Sequence, residues 1–224
     1  FIMSIAASWL GMLNSSKDIV KERRIFGRER RYGIGPLQYV MSKFAVLGTM
    51  GIWQIATLLI VVLFRFQLES PFGTFGRLFP ESLKYLSLIH VEWFITLELL
   101  LLAGLSAGFV ISSVSKTLDQ ATLLMFPLML IQVLLAGLLF DVGSLSWISF
   151  TYWGISALGN SMNLESLFAQ AGKASDPVLN TLNLSGDPLR LILCWLVLLV
   201  MIAGLLTITI WRQGWEDKAR IMDD

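Results

Sequence analysis

Long apolar runs divide the chain: Leu37 to Phe64, Leu88 to Val114, Ala121 to Phe140 and Leu189 to Trp211. Each reaches the roughly 20 residues that an α-helix needs to cross a bilayer. A further apolar run, Phe1 to Leu13, reads as the inner half or more of a fifth span. Because the chain starts inside that run, with no charged leader before it, we expect an N-terminally truncated fragment. Gly35 and Pro36 close the polar stretch between the first two runs, since proline suits the first turn of a helix and disfavours helix in the residue before it. Pro127 falls inside a run, where neighbouring helices can satisfy the freed carbonyl.

Composition agrees with this pattern. Of 224 residues, 55% are hydrophobic and only 15% charged, which excludes an ordinary soluble domain. The net charge of +1 says little, because the charges are segregated. Lys17, Lys21, Arg23, Arg24, Arg28, Arg30 and Arg31 follow the first run, Lys116 follows the third, and Arg212, Lys218 and Arg220 lie in the tail. The positive-inside rule puts these in the cytoplasm. The intervening segments hold only Arg65, Arg77, Lys84 and Lys173, as outside loops of a five-crossing topology should. Trp147, Trp153 and Trp211 fall near expected span ends, where interfacial aromatics collect. The single cysteine, Cys194, excludes an internal disulfide and a cysteine metal cluster.

The outer segment 141–188 is not uniformly polar. Its first part, SWISFTYWGISALGN (Ser146 to Asn160), is aromatic and apolar enough to form a re-entrant or interfacial helix, whereas AGKASDPVLNTLNLSGDP reads as exposed turns.

The charged stretch 15–33 has a helical plan of its own. Ser15 and Asp18 fit a capping box. At helical spacing Ile19 and Phe26 share a line, Ile25 and Tyr32 flank it, Glu22 and Glu29 fall between them, and the basic residues fill the remaining arc. Such an amphipathic helix lies along the cytoplasmic surface. It could simply bind anionic lipid heads, but glutamates within an apolar stripe suit a protein partner better than a lipid one.

KERRIFGRERRYGIGPLQYVMSKF (Lys21 to Phe44) resembles the stretch after the second membrane helix of ABC transporters of the ABCG, or White, type, where an E-[KR]-[KR]-x-F-x-x-E pattern forms the helix that touches the ATPase. SKTLDQATLLMFPLMLIQVLLAGLLF (Ser115 to Phe140) and the following WISFTYWGISALGNSMNLESLF are similar to that family's fifth helix, its G-L-L turn and its outer aromatic element. The matches cover nearly the whole chain in order. The outer element has Thr151-Tyr152-Trp153-Gly154 without the family's proline, and the outer loop lacks the cysteines of animal members. That favours a bacterial or organellar homologue, in a bacterial inner membrane.

The resemblance implies an all-α, multi-pass ABC-2 type (type II exporter) bundle with five of six spans present. Glu22, Arg23, Arg24, Phe26, Arg28 and Glu29 would form the coupling helix. Leu10, Leu130 and Val133 would face a substrate cavity between two copies, and Leu138 and Leu139 would plug its outer side; without the resemblance each leucine reads as ordinary packing. No G-x-x-x-x-G-K-[ST] motif occurs, so ATP and Mg would be bound by a nucleotide-binding domain, fused N-terminally or separate. A second transmembrane half, a homodimer partner, is implied. Membrane lipid is expected as a neighbour, nucleic acid is not.

Other residues carry competing readings. Glu98 lies well inside a span, and acids there are functional by default, so an ion-coupled secondary transporter or channel is the alternative. His90 and Glu92 cannot make an H-E-x-x-H site, His90 being the only histidine. A membrane anchor whose basic helix recruits a signalling protein is a third option. Gly104 and Gly108 form a G-x-x-x-G that permits close helix approach, and Asn183 opens a sequon that matters only in a glycosylating pathway.

Overall fold

The computed structural model describes residues 1–29, 32–68, 86–137, 143–162 and 188–223, where all regular structure is helical. The helices are α1 (Ile2–Ser15), α2 (Asp18–Glu29), α3 (Pro36–Leu68), α4 (Leu86–Val114), α5 (Leu118–Leu134), α6 (Phe150–Ser161) and α7 (Pro188–Asp223), with a 3-10 turn at Gly143–Ile148 before α6.

Among the described residues three helices contain segments long and apolar enough to cross a membrane: Pro36–Val62 of α3, His90–Val114 of α4 and Pro188–Trp215 of α7. The two other expected crossings are shorter, α5 with 17 residues and α1 with 14. α5 starts at Leu118, ahead of the expected Ala121, because the Thr117 hydroxyl accepts the Gln120 N–H at 3.2 Å and caps the first turn. It stops at Leu134, and shortly afterwards Gly137 takes φ +77°, the left-handed conformation that commonly ends a helix and that a side chain disfavours. The rest of the expected span, from residue 138, lies outside the described residues.

α4 is the axis of the bundle. Of its most apolar membrane-length window 67% is buried, against 22% for α3 and 28% for α7, and it packs on α1, α3, α6 and α7. Its sequence is apolar on every side, as a helix surrounded by others must be. α1 lies closest. A methyl group on Gly104 would run into the Ser8 carbonyl, and one on Gly108 into the Ser15 hydroxyl. The G-x-x-x-G therefore serves packing inside the chain. Ser8 and Ser15 can line this seam because their hydroxyls donate to Ile5 O and Gly11 O of their own helix, both at 2.9 Å.

α6 is too short to span. Ser149 caps it, and its residues from Phe150 to Asn160 are buried except Trp153. It rests against α4 and the start of α7, where Ser161 Oγ donates to Glu92 and Cys194 Sγ lies 3.8 Å from Ser156 Oγ. The opposite end of the bundle, where α1 and α4 finish and α3 and α5 begin, is covered by α2.

Candidate functional site

α2 presents two contrasting faces. Ile19 and Phe26 are buried, with Phe26 against Tyr39 of α3 at a ring-centroid separation of 4.2 Å. Lys17, Lys21, Ile25 and Arg28 are exposed, and Glu29 is half-buried. The apolar line thus turns inward as its spacing predicts, except that Ile25 and Tyr32, expected to flank it, remain on the surface. The Arg24 side chain and residues 30 and 31 lie outside the described residues.

The acidic stripe is used within the chain. Lys43 Nζ lies 2.8 Å from Asp18 Oδ2 and 2.6 Å from Glu22 Oε2, with the lysine side chain only 14% exposed. It also sits 5.5 Å from the Tyr39 ring centroid, a cation–π distance. One ammonium thus pairs with two carboxylates on the flank of α2, and Glu22 faces α3. Lys43 is a residue that the sequence reading passed over, although a lone lysine inside an apolar run was a visible signal.

The expected capping box does not form. Ser15 is still in α1, its hydroxyl turned to Gly11 O, and Ser16 continues helical geometry with φ −59° and ψ −24°. The cap comes instead from α4: Ser112 Oγ accepts the backbone N–H groups of Ile19 and Val20, both at 3.0 Å. Arg23, expected on the outward basic arc, turns inward. Its Nη2 donates to Ser113 O at 3.1 Å and Ser115 O at 3.0 Å, at the C-terminal end of α4. A guanidinium there satisfies orphan carbonyls and complements the helix dipole.

The expected cavity residues do not share one pocket within the chain. Leu10 lines an open apolar groove of about 520 Å³ with Trp53, Thr57, Leu58 and Val61 of α3. Gln54, at the same groove, accepts a hydrogen bond from Asn14 Nδ2 at 2.8 Å. Leu130 is 60% exposed on α5 and Val133 is half-buried, and neither lines the groove. Leu138 and Leu139 lie outside the described residues. Between these positions Gln132 is buried, and its Oε1 accepts from Ser149 Oγ at 2.7 Å and Thr151 Oγ1 at 3.4 Å, tying the end of α5 to the start of α6.

Glu98 points from α4 toward α3. A β-carbon on Gly51 would come within 3.3 Å of Glu98 Oε1, and Oε2 is buried without a hydrogen-bond partner. Among the described residues no group of three histidine, cysteine or acidic side chains could hold a metal ion.

The ABC-2 type transporter family profile matches residues 1–158. The ABC transporter ATP-binding/permease protein Rv1747 of Mycobacterium tuberculosis (strain ATCC 25618 / H37Rv) is 23% identical over 172 residues. That match takes in 74% of this chain but 19% of the relative, so the chain spans under a fifth of that protein's length. With a profile match over most of its length and three helices able to cross a bilayer, the chain is an integral membrane protein and belongs to the ABC-2 type transporter family.

Proposed function

We propose that this chain is the membrane-spanning half of an ATP-driven exporter for lipophilic or amphipathic cargo. A nucleotide-binding domain, fused or separate, supplies ATP and Mg chemistry, and a second copy completes the pathway in a bacterial plasma membrane. The observation that carries this reading is the two-sidedness of α2: its inner face is tied to α3 and α4, while Lys17, Lys21, Ile25 and Arg28 remain outward. A helix fixed on one side and basic on the other suits an acidic protein surface as well as anionic lipid heads, and the choice between them falls to the partner. The fused ATP-binding and permease parts named for the mycobacterial relative support an ATPase as that partner.

The placement of Glu22 changes its role in this scheme. Its carboxylate neutralises Lys43, so Glu22, Arg23 and Phe26 hold the coupling helix in place, while Arg28, with Lys21 and Ile25, meets the ATPase and Glu29 borders that contact. Leu10, Leu130 and Val133 remain the proposed cavity wall, shared between two copies, with Leu138 and Leu139 as the outer gate. The deciding experiment is reconstitution with the ATPase. Reversing Lys21 and Arg28 together to glutamate should leave the chain in the membrane but abolish its effect on ATP hydrolysis; an undiminished effect refutes the docking face.

A second reading, transport driven by an ion gradient, is favoured by the unpaired Glu98 oxygen within α4. Vesicles given ATP and no gradient separate the two, since only the exporter transports under those conditions.

A further inference from the structure

Each of α2 and α4 terminates the other. The orphan N–H groups at the start of α2 are satisfied by Ser112, and carbonyls at the end of α4 by Arg23. Neighbouring serines do not behave this way. Ser106, Ser113 and Ser115 donate to carbonyls of their own helix at 2.8 Å, the usual habit of helical serine, whereas fully buried Ser112 turns its lone pairs across to α2.

Pulling the two helices apart would break the buried Ile19 N–H to Ser112 bond and three part-buried bonds together, and would leave fully buried Ser112 without its α2 donors. The attachment of α2 to α3 differs in kind. Besides the apolar contact of Phe26 with Tyr39, α3 holds α2 through Lys43 and partly exposed carboxylates on long side chains, which tolerate small displacements that the Ser112 amide–hydroxyl bonds do not.

We infer that Ser112 and Arg23 join α2 and the C-terminal end of α4 into one rigid unit, so that α4 carries the displacement of α2 into the bundle alongside α2's neighbours in sequence. Both are positioning residues. The inference rests on the reading of α2 as the element that faces the ATPase. Its consequence is broad, because α4 touches α1, α3, α6 and α7 and a shift at one end reorients the surfaces of all four.

Hydrogen exchange on the complete transporter with its ATPase, in lipid nanodiscs, tests this by comparing nucleotide-free and vanadate-trapped states. In the parent protein, trapping should change exchange in segments 16–29 and 105–116 together. In Ser112→Ala combined with Arg23→Gln, segment 16–29 should still respond, while the response of 105–116 to trapping is lost. Arg23→Lys, which keeps a donor for the carbonyls, should preserve the joint response, whereas a merely structural lesion would loosen both segments regardless of nucleotide. If 105–116 follows trapping equally in the double variant, the inference is overturned. If 16–29 does not respond in the parent, the ATPase-facing reading itself fails.

Discussion

Lys43 Nζ of α3 lies 2.6 Å from Glu22 Oε2 of α2, an ion pair that binds the surface helix to a membrane-length one. Exposed pairs contribute about 0.2–1 kcal/mol, but this lysine is largely shielded and also serves Asp18. Replacing it strands two carboxylates beside an apolar contact. Lys43→Met should therefore cost roughly 1–3 kcal/mol, read as a lower melting temperature in detergent. Adding Glu22→Gln should recover part of that loss, and a simple sum of the two single effects would show that the residues do not interact.

The α1–α4 seam leaves no room for a side chain. Gly104→Ala would force a methyl into the Ser8 backbone, and overpacking of this kind costs roughly 1–3 kcal/mol. Gly204→Ala on α7, where nothing lies within 4 Å of the new atom, should be neutral or slightly stabilising, since alanine favours helix by up to about 1 kcal/mol. Equal melting temperatures for the two variants would contradict the close crossing.

Gln132→Leu should loosen the junction of α5 and α6 more than its size suggests, because Thr151 loses its acceptor there and Ser149 keeps only the backbone carbonyl of residue 132 at 3.3 Å. Each buried group left unpaired costs about 1–3 kcal/mol. Hydrogen exchange should rise in residues 149–155 while α2 is unaffected; unchanged protection at 149–155 would show the network to be dispensable.

Glu98→Gln separates the two transport mechanisms. In the exporter it should leave ATP-driven transport within about twofold and stability unchanged or improved, because one oxygen of this half-buried carboxylate is buried without a hydrogen-bond partner and costs free energy to keep there. Loss of gradient-driven uptake, with no ATP-driven transport to preserve, would instead favour the ion-coupled alternative.

Much of the architecture was legible from periodicity. The runs from Leu37, Leu88 and Leu189 became α3, α4 and α7, and the short aromatic segment became α6. Ile19 and Phe26 turned inward because helical spacing alone aligns them. The polar partners were not legible. Ser15 and Asp18 satisfy a local capping rule, yet Ser112 takes the role from 93 positions away, and no sequence signal distinguishes Ser112 from Ser113. Glu22 looked free for a partner because the lysine that neutralises it lies in the next helix. Such pairings depend on which helices adjoin, which a single sequence encodes only through the whole packed arrangement.

The crossing of α1 with α4 also sets a timetable for biogenesis. Ser8 and Gly104, which meet across that seam, are separated by roughly 5–20 s of synthesis. During that delay α3 emerges while the glycine and serine edge of α1 has no α4 to meet. Insertion machinery that shelters α1 until α4 arrives would thus govern yield, and slowing translation between them should increase the misassembled fraction.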